Sequence, residues 1–195
     1  MFRISRRPKS RAVREPRWTR LSSRRLSGCD AATHAWLSDP GSLTRSIIAS
    51  CKRARFAVEL VGQAPGCALP SEAVLLDAGK ARAMLVREVR LNCGRKAWVY
   101  ARTLIPQSSL RGPAQVLTRL GRRPLGEVLF SDPTTRRLRV EVARITPRHR
   151  LFAAATAHAK RKPDQIWGRR TLFEYGGERI LVNELFLPAI GALRP

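Results

Sequence analysis

The stretch "AMLVREVRLNCGRKAWVYARTLIP" constrains the fold more than any other. Apolar and polar side chains alternate over 83–91, break across 92–96 and alternate again over 97–105. A period of two belongs to an extended chain with one buried face. Asn92 and Gly94 suit a reversal and Pro106 ends the second run, so the stretch reads as a hairpin with a longer loop. "RFAVELV" (55–61) and "RRLRVEVARI" supply further strands, and "RTLFEYGGERILVNELFLP" supplies two more joined by Gly176 and Gly177. Helices are expected at several places. Asp30 caps a short one carrying Trp36 and Leu37, which "DPG" stops; Ser42 caps a second that runs to about Cys51. Residues 113–119, stopped by Gly121, and 124–129 read as the third and its short successor. Helices and strands do not alternate as βαβ units. The fold class is therefore α+β: a single antiparallel sheet with helices packed on one face or end.

Charge is the strongest global signal, a net +24 over 195 residues. Residues 1–25 hold ten Lys/Arg against one Glu, and 144–170 hold eight against one Asp. The first segment lacks hydrophobic periodicity, so 1–28 is expected as a basic, disordered extension before a domain spanning 29–195. Being Arg-rich and poor in acids, it is similar to a transit peptide, and equally to an overextended coding start. A second basic stretch, 146–166, reads as an insertion whose "LFAAATAHAK" forms a surface helix. Both read as solvated extensions. No zinc-finger, homeodomain or RNA-recognition signature accompanies the charge, so no specific nucleic-acid partner is expected. No apolar run is long enough to span a bilayer, and no strongly amphipathic helix offers a stable membrane anchor. Cys29, Cys51, Cys67 and Cys93 form no CxxC pair, and His34, His149 and His158 form no metal-binding spacing. No metal and no cofactor are expected, and reduced thiols in a cytoplasmic protein fit this pattern.

Alternation also isolates particular charges. In "ILVNELFLP", Ile180, Val182, Glu184 and Phe186 share a face. In "LVREVRL", Arg87 sits with Leu85, Val89 and Leu91, and in "WVYARTL" Arg102 sits with Trp98, Tyr100 and Leu104. A carboxylate among aliphatics is costly to bury and needs a partner. Two readings stand. Arg87 and Glu184 pair with each other in the core, or they occupy opposite ends of a largely apolar cavity. The second suits a small carboxylated molecule, because a guanidinium grips a carboxylate bidentately and an apolar site raises a carboxyl pKa.

The blocks "REVRL…AWVYARTLIP", "LGRRPLGEVLFS" and "WGRRTLFEYGGERILVNELFLPA" resemble the bacterial chorismate pyruvate-lyase family in order and spacing, across roughly residues 36–191. The resemblance implies an antiparallel sheet with helical flaps closed over an internal ligand cavity. It implies release of pyruvate from chorismate to leave 4-hydroxybenzoate, the first step toward ubiquinone, by a monomer in the cytoplasm. By matching motifs, Arg87 holds the ring carboxylate and Glu184 lies at the far end of the cavity. Both count as catalytic. Leu43 in "GSLTR" and Leu125 in "PLGEVLF" match main-chain contacts to the ligand. Arg102 is placed beside them as a second guanidinium, for the pyruvyl carboxylate. Glu184 either donates to the ether oxygen or steadies it. The alternative function is a sensor that binds an aromatic acid without turnover and touches nucleic acid through its basic extensions.

Overall fold

The computed structural model describes residues 14–21, 26, 28–52, 54–79, 83–191 and 195. Seven strands form one antiparallel sheet: β1 (Thr19–Arg20), β2 (Phe56–Cys67), β3 (Ala83–Cys93), β4 (Lys96–Pro106), β5 (Arg136–Ile145), β6 (Ile166–Tyr175) and β7 (Glu178–Phe186). Their order across the sheet is β1-β5-β6-β7-β4-β3-β2. The helices are α1 (Ala31–Ser38), α2 (Leu43–Ser50), α3 (Pro70–Leu76), α4 (Leu125–Ser131) and α5 (Arg150–Ala155). The expected α+β class holds, with helices covering both faces of the sheet instead of one.

Register explains which side chains meet. Arg87 lies opposite Thr103, Thr103 opposite Val182, Ala101 opposite Glu184, and Glu184 opposite Arg169. Because side chains alternate, these residues share one face, and Arg102, Asn183 and Arg170 share the other. On the first face α1 and α2 bury Trp36, Leu37 and Ile47 against Val58, Val89 and Leu91, while Leu117, Leu120 and Leu129 pack on Phe173, Ile180 and Val182. On the reverse face α5 sets Leu151 and Phe152 against Tyr100, Ile145 and Leu185. Burying each such aliphatic or aromatic side chain contributes about 1.5–3 kcal/mol, so both faces are firmly covered.

Several local features follow from chemistry that a pattern of apolar residues does not display. The β3–β4 loop is only Gly94 and Arg95, because Cys93 still pairs with Lys96 and a register shift at Leu91/Asn92 absorbs the irregularity. Gly176 and Gly177 both have positive φ, 57° and 81°, between the paired Tyr175 and Glu178, which is the type I′ geometry of a two-residue hairpin. A side chain at 176 would also strike the Pro113 ring, 2.6 Å from the position of its Cβ. β2 runs six residues beyond the expected end and contains Pro65, which an edge strand tolerates because one side of its ladder is unused. Residues 113–119 form a 3-10 helix instead of an α-helix. Asp30 caps α1 as expected, accepting from Thr33 N–H at 2.8 Å, whereas Ser42 occupies the cap position of α2 without a side-chain bond. Helix α3 went unforeseen; its Glu72 turns back to accept from Leu69 N–H at 2.8 Å.

Two expectations need correction. Residues 14–21, inside the stretch expected to be disordered, belong to the fold: β1 pairs with β5, Glu15 accepts from Ser71 N–H at 3.1 Å, and the Arg170 guanidinium lies 4.7 Å from the Trp18 ring. Leu26 is also buried. The apolar periodicity was too short to reveal one strand pairing and one aromatic anchor. Residues 1–13 lie outside the described residues. Removing residues 1–21 is expected to cost about 3 kcal/mol more than removing 1–13, from the lost Trp18 packing and strand pairing, as read from urea unfolding. Likewise, the 146–166 stretch is basic and exposed at Lys160, Arg161 and Lys162, but α5 within it belongs to the core.

The thiols also differ from expectation. Cys51, which ends α2, and Cys93, which ends β3, form a disulfide across 42 residues with Cα atoms 5.8 Å apart. No short spacing announces the pair, because the sheet brings the two ends together. Cys29 and Cys67 are free. No helix among the described residues is long and apolar enough to cross a membrane.

Candidate active site

A cavity of about 50 Å³ lies between the α1/α2 face of the sheet and the helices α2 and α4. Arg87, Thr103, Val182 and Glu184 come from the strands, and Leu43 and Leu125 come from the first positions of α2 and α4. The two helices approach closely over it: a Cβ at Gly126 would stand 3.2 Å from Ser42 Oγ and 3.3 Å from Thr44 Oγ1. That space is far smaller than the several hundred Å³ usual for ligand sites. Admitting a ring-sized molecule therefore requires the covering helices to yield.

Arg87 is only 2% exposed. Its Nη2 donates to the carbonyls of Gly121 and Arg123, 3.0 Å each, while Nε is buried without a partner. Among the described residues no carboxylate pairs with it. Burial pulls its pKa below the ordinary arginine value, yet a guanidinium remains charged at neutral pH. Protein dipoles thus hold a buried cation whose charge is left uncompensated. An incoming carboxylate would satisfy it.

Glu184 stands at the other end. Two strand spacings and two residues separate it from Arg87, roughly 12 Å between Cα atoms from sheet geometry. A direct Arg87–Glu184 pair in the core, one of the two readings of the sequence, does not form. Nor is Glu184 a lone carboxyl in apolar surroundings, as the sequence suggested. Its Oε2 accepts from Arg169 Nε at 2.7 Å. Sequence reasoning missed Arg169, although alternation through "WGRRTLF" puts it on one face with Trp167 and Phe173, the same signal that isolated Glu184.

Arg102 is not part of this cavity. It faces the reverse side of the sheet, where it meets Glu88 at 3.1 Å, Glu72 at 3.5 Å and the Cys67 carbonyl at 3.2 Å. Asn183 donates to the same Glu72, and Tyr100 donates to Glu88 at 2.6 Å; burial first, then Glu88, pushes the Tyr100 pKa up. This network fastens α3 to the sheet. The arginine sits one residue from Thr103, which lines the cavity, and one residue is enough to reverse a strand side chain.

A narrow cavity with an uncompensated guanidinium at one end and a carboxylate at the other defines an α+β domain suited to a small carboxylated molecule. The chain belongs to the chorismate lyase family, a model of which matches residues 15–192. It is 39% identical over 155 residues to a probable chorismate pyruvate-lyase of Thiobacillus denitrificans, covering 80% of this chain and 82% of that one. The corresponding protein of Shewanella sp. (strain MR-4) is 41% identical over 154 residues, 79% of this chain and 77% of its own. That of Nitrosomonas europaea is 38% identical over 160 residues, 82% and 89%. Among solved structures, PhnF from Mycobacterium smegmatis superposes with a TM-score of 0.55 at 18% identity, covering 78% of this chain and 66% of that one. A PhnF C-terminal domain gives 0.53 at 12% identity, covering 69% and 84%. These two likenesses concern the fold alone.

Proposed function

We propose that this cavity converts chorismate to 4-hydroxybenzoate and pyruvate, making the protein a carbon–oxygen lyase. One observation supports the reading: Arg87 is a buried cation that no carboxylate among the described residues pairs with, lining a cavity in a chain of the chorismate lyase family. In the reaction the ether bond between the ring and the enolpyruvyl oxygen breaks, and its electron pair leaves with that oxygen. The ring carbon bearing the hydroxyl gives up its proton, the ring becomes aromatic, and enolpyruvate takes a proton at its methylene carbon to become pyruvate. The sum is redox-neutral, and aromatisation drives it. What falls to the protein is holding the substrate, excluding water and managing protons.

Arg87 binds the ring carboxylate and thereby fixes the ring's long axis along the cavity. Glu184, at the opposite end, serves the ether oxygen and the proton that moves. Leu43 and Leu125 each open a helix bordering the cavity, where the first amides lack intrahelical acceptors and favour anionic atoms. The test is incubation of the purified protein with chorismate while both products are followed. Equimolar 4-hydroxybenzoate and pyruvate are expected. Binding of 4-hydroxybenzoate without any pyruvate would overturn the reading in favour of a sensor.

A further inference from the structure

Arg169 holds more than Glu184. Its side chain is 4% exposed, and its Nη1 donates to the carbonyls of Asp39 at 2.8 Å and Trp36 at 3.2 Å. Those carbonyls close α1 and begin the turn into α2, a helix end with no basic residue of its own. A cation there meets acceptors that the helix leaves unsatisfied. One guanidinium therefore joins the carboxylate lining the cavity to the helical hairpin covering it. Its carbon also lies 5.8 Å from the Phe186 ring, which limits how it can turn. Arg137, from β5, grips the next two residues of the same turn, donating to the Pro40 carbonyl and, at 2.6 Å, to that of Gly41. Arg137 makes no hydrogen bond to Glu184.

We infer that Arg169 is a positioning residue for the reaction: it orients Glu184 and makes that orientation conditional on the α1–α2 hairpin being seated. The inference rests on the function proposed above. With the hairpin down, two carbonyls and an aromatic ring fix the guanidinium, and its Nε holds Glu184 Oε2 in place. When the hairpin lifts, Arg169 loses its two carbonyls and Glu184 loses its rigid partner. The carboxylate is then in working position only while the cavity is closed to water, so chemistry and enclosure occur together.

The two arginines allow a test that a merely structural role would fail. Arg169→Gln, Arg169→Lys, Arg137→Gln, Glu184→Gln and the double variant Arg169→Gln/Glu184→Gln are compared by two rates. The first is dissociation of 4-hydroxybenzoate; the second is the single-turnover rate with chorismate. Both Arg→Gln variants should speed dissociation, by about tenfold, since both unpin the turn. Arg169→Gln should slow the single turnover about 100-fold and Arg137→Gln less than about threefold, with Arg169→Lys between them. Once Glu184 is Gln, the Arg169→Gln change should cost less than about twofold more, because it acts through that carboxylate. Additive losses in the double variant, or an equal loss from Arg137→Gln, would overturn the inference. Should Arg169→Gln not fold, Arg169→Lys in the presence and absence of Glu184→Gln carries the same comparison. Wild-type turnover separates the two levels: without it the proposed function falls, and with it only the variants judge Arg169.

Discussion

Replacing Arg87 with Met is expected to weaken ligand binding severely while leaving the empty protein about as stable. Truncating one partner of a buried charged contact costs about 2–5 kcal/mol, so affinity for 4-hydroxybenzoate should fall by a factor of ~30 to several thousand. kcat/KM for chorismate should fall with it. The stability side comes from the same geometry. Arg87 is a nearly fully buried cation whose hydrogen-bond partners among the described residues are two main-chain carbonyls, and its Nε has none among them. Met fills a similar length without a charge to desolvate, which offsets the bonds lost at Gly121 and Arg123; the unfolding free energy from urea titration should fall by less than about 1 kcal/mol or rise. The clearest readout is the ligand's effect on melting. 4-Hydroxybenzoate at 100 times its wild-type Kd should stabilise the wild type by about 2.7 kcal/mol and the variant by under about 0.9 kcal/mol. A variant that unfolds, or one that the ligand stabilises as much as the wild type, would show that Arg87 is a structural cation and not the anion site. Arg87→Lys, which keeps the charge but not the fork, should fall between.

Glu184→Gln should instead lose turnover and keep the product. The amide preserves shape and can still accept from Arg169 Nε, but it cannot carry the charge or exchange a proton. General acid–base help is worth about 10²–10⁴-fold, so a drop in kcat of at least about 100-fold is expected. Affinity for 4-hydroxybenzoate, which has lost the enolpyruvyl group that Glu184 serves, should change by less than about tenfold. A separation of this kind, with binding lost at Arg87 and chemistry lost at Glu184, is what a cavity with one end for holding and one for reacting produces. Equal losses of kcat and affinity in both variants would sink that division of labour.

Much of this was legible in the chain because strand alternation is a local property. The pleat groups Arg87 with its aliphatic neighbours, and Glu184 with its own, whatever the sheet order, and the hairpins at 94–95 and 176–177 declare themselves through glycine. What alternation does not say is which face of one strand meets which face of the next. Arg102 was assigned to the cavity on the strength of its apolar neighbours, yet its register partner Glu88 puts it on the reverse side. Only the pairing settles that. The hold of Arg169 and Arg137 on the covering hairpin is hidden for another reason: it falls on carbonyls of the 36–41 segment, about 100 to 130 residues distant, and a carbonyl leaves no mark in a sequence. The Cys51–Cys93 bond and the Trp18 anchor are contacts of the same long-range kind.

That disulfide sets the manner in which the cavity can be entered. It bolts Cys51, the residue after α2, to the end of β3, whereas the turn at 39–41 is tied to the sheet through hydrogen bonds from Arg137 and Arg169. The hairpin is thus a gate hung on Cys51 and latched at 39–41. It swings instead of departing. Eight residues of helix span ~12 Å, so a rotation of about 20° carries Leu43 some ~4 Å from the cavity while Cys51 stays where it was. A covering segment hung in this way returns to the same seat after every turnover, with Leu43 and Thr44, the residues nearest the latch, travelling farthest each time.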